Sequence, residues 1–137
     1  MIVVAAKRRS RRPLELRLQA RPESGSVLRA HLRAWLEDVG ACRSYIFETL
    51  LATTEAFTNA VRHPHQPTRQ SVDVKGSLAS GFVTISIRDY GTWDRHSRRK
   101  EPGGLGLVLI DAVMDDVRVD RDPHGTTVTM SRRLPNA

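Results

Sequence analysis

Leu14, Leu16 and Leu18 alternate with Glu15, Arg17 and Gln19, the period of two that marks a half-buried strand. Residues 22–26 break the alternation with proline and serine, and Ser24 or Ser26 is placed to cap a helix. From Val27 the period lengthens: Leu28, Leu32, Trp35, Leu36 and Val39 share one helical face, and Gly40 closes the segment. A second helix is predicted over 44–63, with Ile46, Phe47, Leu50, Phe57 and Val61 inward and Pro64 and Pro67 as its stop. Strands are predicted over 71–76 and 82–89, joined as a hairpin by a short Ser/Ala/Gly connection. Residues 92–102 are polar and aperiodic, hence a loop, and Gly103 to Gly106 open a third helix from 107 to about 115. Two last strands, 117–121 and 126–133, flank the turn Asp122-Pro123-His124-Gly125. The order β-α-α-β-β-loop-α-β-β predicts an α+β, two-layer sandwich, with helices on one face of a mixed, mostly antiparallel sheet.

At 137 residues the chain has room for one core. The longest apolar stretches are too short to span a bilayer, and an apolar start followed by basic residues reverses the order of a secretory signal. A single cysteine, Cys42, excludes an internal disulfide and a Cys-based metal cluster. A cytoplasmic domain is expected. The net charge of +7 changes this picture little once it is located. Lys7, Arg8, Arg9, Arg11 and Arg12 leave 17 of the 22 bases to face 15 acids in the remainder. We therefore divide the chain into a basic leader, 1–12, and one domain, 13–137. A second basic cluster, Arg95, Arg98, Arg99 and Lys100, lies in the polar loop. Aromatics do not interleave with these bases, so direct nucleic-acid binding is not expected.

Three segments carry candidate chemistry. Glu55 and Asn59 are one turn apart on the second helix, with His63 a further turn on. Such a pair is most often a solvated stripe, but an Asn oxygen beside a carboxylate also suits a hard cation such as Mg²⁺, leaving the carboxylate to handle a proton. Asp89 and Gly91 end an alternating strand; this is either a plain turn or an acceptor for the exocyclic amine of a bound base, with Gly91 admitting the ring closely. Gly103, Gly104 and Gly106 precede or open a helix, where N–H groups can receive phosphate, although a glycine hinge explains them equally well. The spacing fits neither a Walker A loop nor a dinucleotide fingerprint.

In sequence order these signals are no longer independent. Glu-x-x-x-Asn-Ala-x-x-His, then Asp-x-Gly after a strand, then Gly-Gly-x-Gly-Leu opening a helix, then Gly-Thr in the last strand resembles the ATP-binding superfamily of gyrase, heat-shock chaperones, histidine kinases and MutL. The resemblance spans about residues 14–134. Small size, the Glu-Ala-Phe-Thr-Asn-Ala-Val-Arg-His segment and the Gly-Leu-Gly-Leu-Val-Leu-Ile helix are most similar to the bacterial anti-sigma-factor serine/threonine protein kinases. That resemblance implies a Bergerat-type fold binding ATP with Mg²⁺. It implies Asn59 as the metal ligand, Glu55 as the catalytic base, Asp89 as the adenine-amine acceptor and Gly91 beside it. Gly103, Gly104, Leu105, Gly106 and Leu107 would line the triphosphate, Thr126 would approach adenine through water, and Arg62 and His63 would lie at the phosphate end. The implied partners are a sigma factor and a small antagonist protein that is phosphorylated on Ser or Thr, and a homodimer is implied, with contact at the first strand and first helix. The alternative is a nucleotide-dependent binding switch without phosphotransfer. Pro64 directly after His63, the basic loop before Gly103 and the basic leader depart from the family pattern.

Overall fold

Among the described residues of the computed structural model, 12–62, 70–91 and 105–135, five strands and three helices alternate in the predicted order. They are β1 (Leu14–Gln19), α1 (Ser24–Asp38), α2 (Arg43–Arg62), β2 (Ser71–Ala79), β3 (Phe82–Asp89), α3 (Leu105–Val113), β4 (Asp116–Asp122) and β5 (Gly125–Arg133). The strands form one sheet in the order β1-β2-β3-β5-β4. The expectation of a mixed sheet is refined, because all four pairings are antiparallel. The reason is topological: β4 runs in the direction of β3, but β5 lies between them and opposes both. The crossover through α3 therefore creates no parallel pair.

Local chemistry sets the element ends. The β2–β3 hairpin turns on Ser80 and Gly81, with φ of 53° and 80°, the left-handed pair that matches the twist of the flanking strands. Gly40, with φ 90°, ends α1 as predicted: its N–H donates to the Glu37 carbonyl and that of Ala41 to the Leu36 carbonyl, both at 3.0 Å. The start of α1 corrects the sequence reading, since neither Ser24 nor Ser26 caps it. Instead the N–H groups of Ser24 and Gly25 donate to the carbonyls of Arg21 and Pro22 at 3.0 Å, and Ser26 Oγ donates to the Glu23 carbonyl at 3.2 Å. A tight turn upstream satisfies donors that a capping side chain would otherwise serve.

The helices cover one face of the sheet. Leu28, Leu32 and Leu36 of α1, with Val39 at its C-cap, are buried in one cluster with Val72, Val74, Val83, Ile85, Ile87 and Met130 of the inner sheet face. Gly76 leaves room for Trp35, whose ring would lie 3.3 Å from a Cβ at that position, and Trp35 Nε1 donates to the Arg12 carbonyl at 2.8 Å. In α2 the inward stripe is Tyr45, Thr49, Ala52, Ala56 and Ala60 with Ile46, Leu50 and Phe57. Phe47, expected inward, is 63% exposed because it falls on the opposite side of the helix from that stripe. Leu32, fully buried, tests the packing: Leu32→Ala is expected to cost about 2–5 kcal/mol. Urea unfolding measures this, and an unchanged midpoint would contradict a close-packed α1–sheet interface.

Candidate nucleotide-binding site

Interlocking contacts fix the direction of α2 across the sheet. Tyr45 Oη donates to the Arg132 carbonyl at 3.0 Å. The Arg132 guanidinium stacks on the Tyr45 ring, 4.3 Å from its centroid, and donates to the Tyr45 carbonyl, Thr49 Oγ1 and Glu48 Oε1 at 3.2, 3.1 and 2.5 Å. Burial pushes the Tyr45 phenol up to about 12 against the opposing pull of Arg132, so it stays a neutral donor. Arg132 pairs with Val83 near the start of β3. The N-terminal end of α2 therefore sits over the beginning of β3, and its C-terminal half points toward Asp89. Chain connectivity agrees: α2 leads to β2, and the first residues of β2 lie at the same sheet end, since Asp73 pairs with Arg88.

Helix α3 points its N-terminus the same way. Just after it, the Asp115 N–H donates to the Ser131 carbonyl at 2.8 Å and Asp115 Oδ2 accepts the Arg133 N–H at 2.7 Å. Both partners belong to the end of β5, remote from Asp89. The helix starts at Leu105, two residues earlier than predicted, so Gly106 lies in its first turn. Glycine usually marks a break, but in a first turn it interrupts no intrahelical bond made by its own N–H. The C-terminal half of α2, the end of β3 and the start of α3 thus meet at one end of the domain.

Each element contributes there. Glu55 and Asn59 are both partly exposed on α2, and Arg62 is its exposed last residue. Asp89 ends β3 opposite Thr126 of β5. Its Oδ1 accepts the Gly91 N–H at 3.1 Å. Burial pushes its carboxyl above the usual aspartate value, opposed by the N–H groups of Gly91 and Thr126 and by Arg88 and Arg121. Gly91 itself is buried. His63, Gly103 and Gly104, the basic loop over 92–102 and leader residues 1–11 lie outside the described residues.

Gly125 is held far more tightly than a place in a surface turn requires. Expected as part of a four-residue turn, it is instead the first residue of β5, opposite Asp122. The turn is shorter, with the His124 N–H donating to Asp122 Oδ1 at 2.7 Å. A Cβ on Gly125 would stand 2.0 Å from the Asp89 carbonyl oxygen and 3.2 Å from the Tyr90 Cα. The β4–β5 hairpin therefore presses directly on the backbone that carries Asp89.

Among the described residues, His, Cys, Asp and Glu form no group of three or more that could hold a metal ion, and no helix is long and apolar enough to cross a membrane. The donor set at this end consists of a partly buried carboxylate with residual acceptor capacity, an amide side chain and helix-start N–H groups. That set fits a base carrying an amine together with an anionic, cation-bearing tail.

Comparison with known proteins agrees with this geometry. The model of the histidine kinase-like ATPase domain matches residues 18–132. The serine-protein kinase RsbW of Bacillus licheniformis is 30% identical over 137 aligned positions, covering 88% of this chain and 85% of that protein. A crystal structure of the RsbU and RsbW domains of a Mycobacterium tuberculosis protein matches 90% of this chain with a TM-score of 0.73 and 32% identity; the match spans only 32% of that longer chain. A chain of the SiaB–SiaC complex from Pseudomonas aeruginosa shares the fold, with a TM-score of 0.63 over 86% of this chain and 88% of its own, at 13% identity. The chain belongs to the histidine kinase-like ATPase domain family, which uses ATP, and within it to the RsbW-type serine-protein kinases.

Proposed function

We propose that this chain is an anti-sigma factor that binds Mg-ATP and phosphorylates a Ser or Thr hydroxyl of a small antagonist protein. One observation carries the reading: α2, β3 and α3 bring Glu55 and Asn59, Asp89 and Gly91, and the first turn of α3 with Gly106 to a single end of the domain. In this reading Asp89 accepts the adenine amine, Gly91 lies against the ring, and Thr126 reaches the base through water. Backbone N–H groups from Gly103 to Leu107 receive the triphosphate, with Arg62 and His63 at its phosphate end. Asn59 holds Mg²⁺, which supplies neutralisation of the triphosphate charge. Glu55 orients the incoming hydroxyl and takes its proton. The protein acts in the cytoplasm, binds a sigma factor, and pairs with a second copy through β1 and α1, where β1 is an outer strand of the sheet. The test is a pull-down with and without Mg-ATP, followed by phosphosite mapping of the small protein recovered. Capture that depends on nucleotide, without any phosphate transferred, would replace the kinase with a binding switch.

The assignment of Asp89 has a pH signature. Protonation removes the charged acceptor, so ATP affinity should fall as pH drops through a carboxyl value already raised by burial, earlier than for an ordinary aspartate. The unliganded fold responds with the opposite sign. Stability from the neutral form is present below the ordinary aspartate range and is lost as pH rises through the raised value. Asp89→Asn is expected to weaken ATP by about 1–3 kcal/mol at neutral pH and to flatten the acid limb. Calorimetric titration of both proteins across the acidic range checks this, and identical pH profiles would remove Asp89 from the site.

A further inference from the structure

The residue between Asp89 and Gly91 belongs to the other side of the sheet. Along β3, Val83, Ile85 and Ile87 are buried under the helices, and Asp89 continues their face. Arg88 and Tyr90 therefore lie on the open face, where their partners are. The Tyr90 hydroxyl donates to Asp73 Oδ2. The same carboxylate accepts Arg17 Nε at 2.7 Å and Nη2 at 3.1 Å, so β1, β2 and the segment after β3 share one knot. The Arg88 guanidinium stands over the Tyr90 ring, 5.1 Å from its centroid. It also donates to both carboxylate oxygens of Asp122 at 3.1 and 3.3 Å and to Thr127 Oγ1 at 3.0 Å. Tyr90 is thus fixed at its hydroxyl by β2 and at its ring by a residue anchored to β4 and β5.

We propose that Tyr90 is a positioning residue for base recognition: anchored on the open face by Asp73 and Arg88, it sets the orientation of the Asp89–Gly91 backbone and hence of the Asp89 carboxylate on the opposite face. The inference rests on the reading of Asp89 as the acceptor for the exocyclic amine. Past the last ladder pair, Asp89 with Thr126, the backbone of Tyr90 and Gly91 has no strand register to hold it. A side chain tied to two neighbouring strands supplies that restraint from behind the site. Pre-set donors and acceptors lose less freedom when a ligand binds.

Tyr90→Phe tests this, because it keeps the ring and its stacking on Arg88 while deleting the bond to Asp73; the Arg17–Asp73 pair remains to hold β1 on β2. Affinity is measured by calorimetry for ATP and for purine riboside triphosphate, which lacks the exocyclic amine. The variant should bind ATP about 3–10-fold more weakly, the effect of one hydrogen bond, and bind the analogue as the wild type does. The preference for ATP would shrink by the same factor. Equal weakening of both ligands would make Tyr90 merely structural and overturn the proposal. So would a wild-type preference that survives in the variant. Equal affinity of the wild type for the two ligands would overturn the reading of Asp89 itself, and this proposal with it.

Discussion

Glu55→Gln is expected to bind ATP as the wild type does and to transfer its phosphate about 10²–10⁴-fold more slowly, the usual loss when a general base is removed. Glutamine keeps the length and hydrogen-bonding reach of the side chain but cannot take the proton of an attacking hydroxyl. The acceleration supplied by a base belongs to the transition state, so the ground-state complex with nucleotide should be spared. Position makes the separation possible: Glu55 is one helical turn before Asn59 on α2, and both are partly exposed at the end shared with Asp89. Asn59→Ala is the contrast, since loss of the proposed metal ligand should damage binding and transfer together. Calorimetry and single-turnover transfer to the antagonist protein read the two quantities independently. A Glu55→Gln protein that transfers at the wild-type rate would remove the base from the mechanism.

Gly125→Ala should be nearly as severe by a different route. The added methyl would meet the Asp89 carbonyl oxygen at 2.0 Å and its carbonyl carbon at 3.1 Å, well inside van der Waals contact and against backbone that has no rotamer to change. The β4–β5 hairpin and the end of β3 must separate, at about 1–3 kcal/mol or more for overpacking of this kind. Because the displaced atoms carry Asp89, the folded fraction should also lose most of its affinity for ATP. Gly76→Ala is the informative control. Its Cβ would press at 3.3 Å on Leu14 and Trp35, away from the site, so it should lower stability without altering the affinity of the folded protein. Urea unfolding paired with calorimetry separates the effects, and a folded Gly125→Ala protein with normal ATP affinity would count against the close approach as a determinant of the site.

Much of the fold was legible because its signals are local. Period two in Leu14, Leu16 and Leu18, period 3.6 from Leu28 to Val39 and the stop at Gly40 each depend on near neighbours, and each appears where expected. The misses have long-range or competing causes. Phe47 fits an apolar pattern, but alanines and threonines of α2 take the inward stripe so that the helix can lie close to the sheet. Ser24 and Ser26 lose their capping role to carbonyls of the preceding turn. The order of motifs along the chain pointed to Glu55, Asn59, Asp89 and the glycines. Nothing nearby in sequence could reveal the Arg132 clamp, the pressure of Gly125 on Asp89 or the anchoring of Tyr90. Arg132 and Tyr45 lie 87 positions apart, and Tyr90 meets Asp73 only because β2 and β3 are neighbours.

The two hairpins close over single tight turns, whereas β1 meets β2 only across the full length of α1 and α2, with Gln19 opposite Ser71 and Leu14 opposite Gly76. Closing a longer loop costs more chain entropy before any contact rewards it, and a hairpin forms within about 1–10 μs. Assembly should therefore begin at β2–β3 and β4–β5, with β1 docking last and leaving first when the fold opens. The outer edge of β1 is also where we place the contact with a second copy. A chain would then become competent to pair only once its own folding is complete, so that association itself discriminates against half-formed molecules.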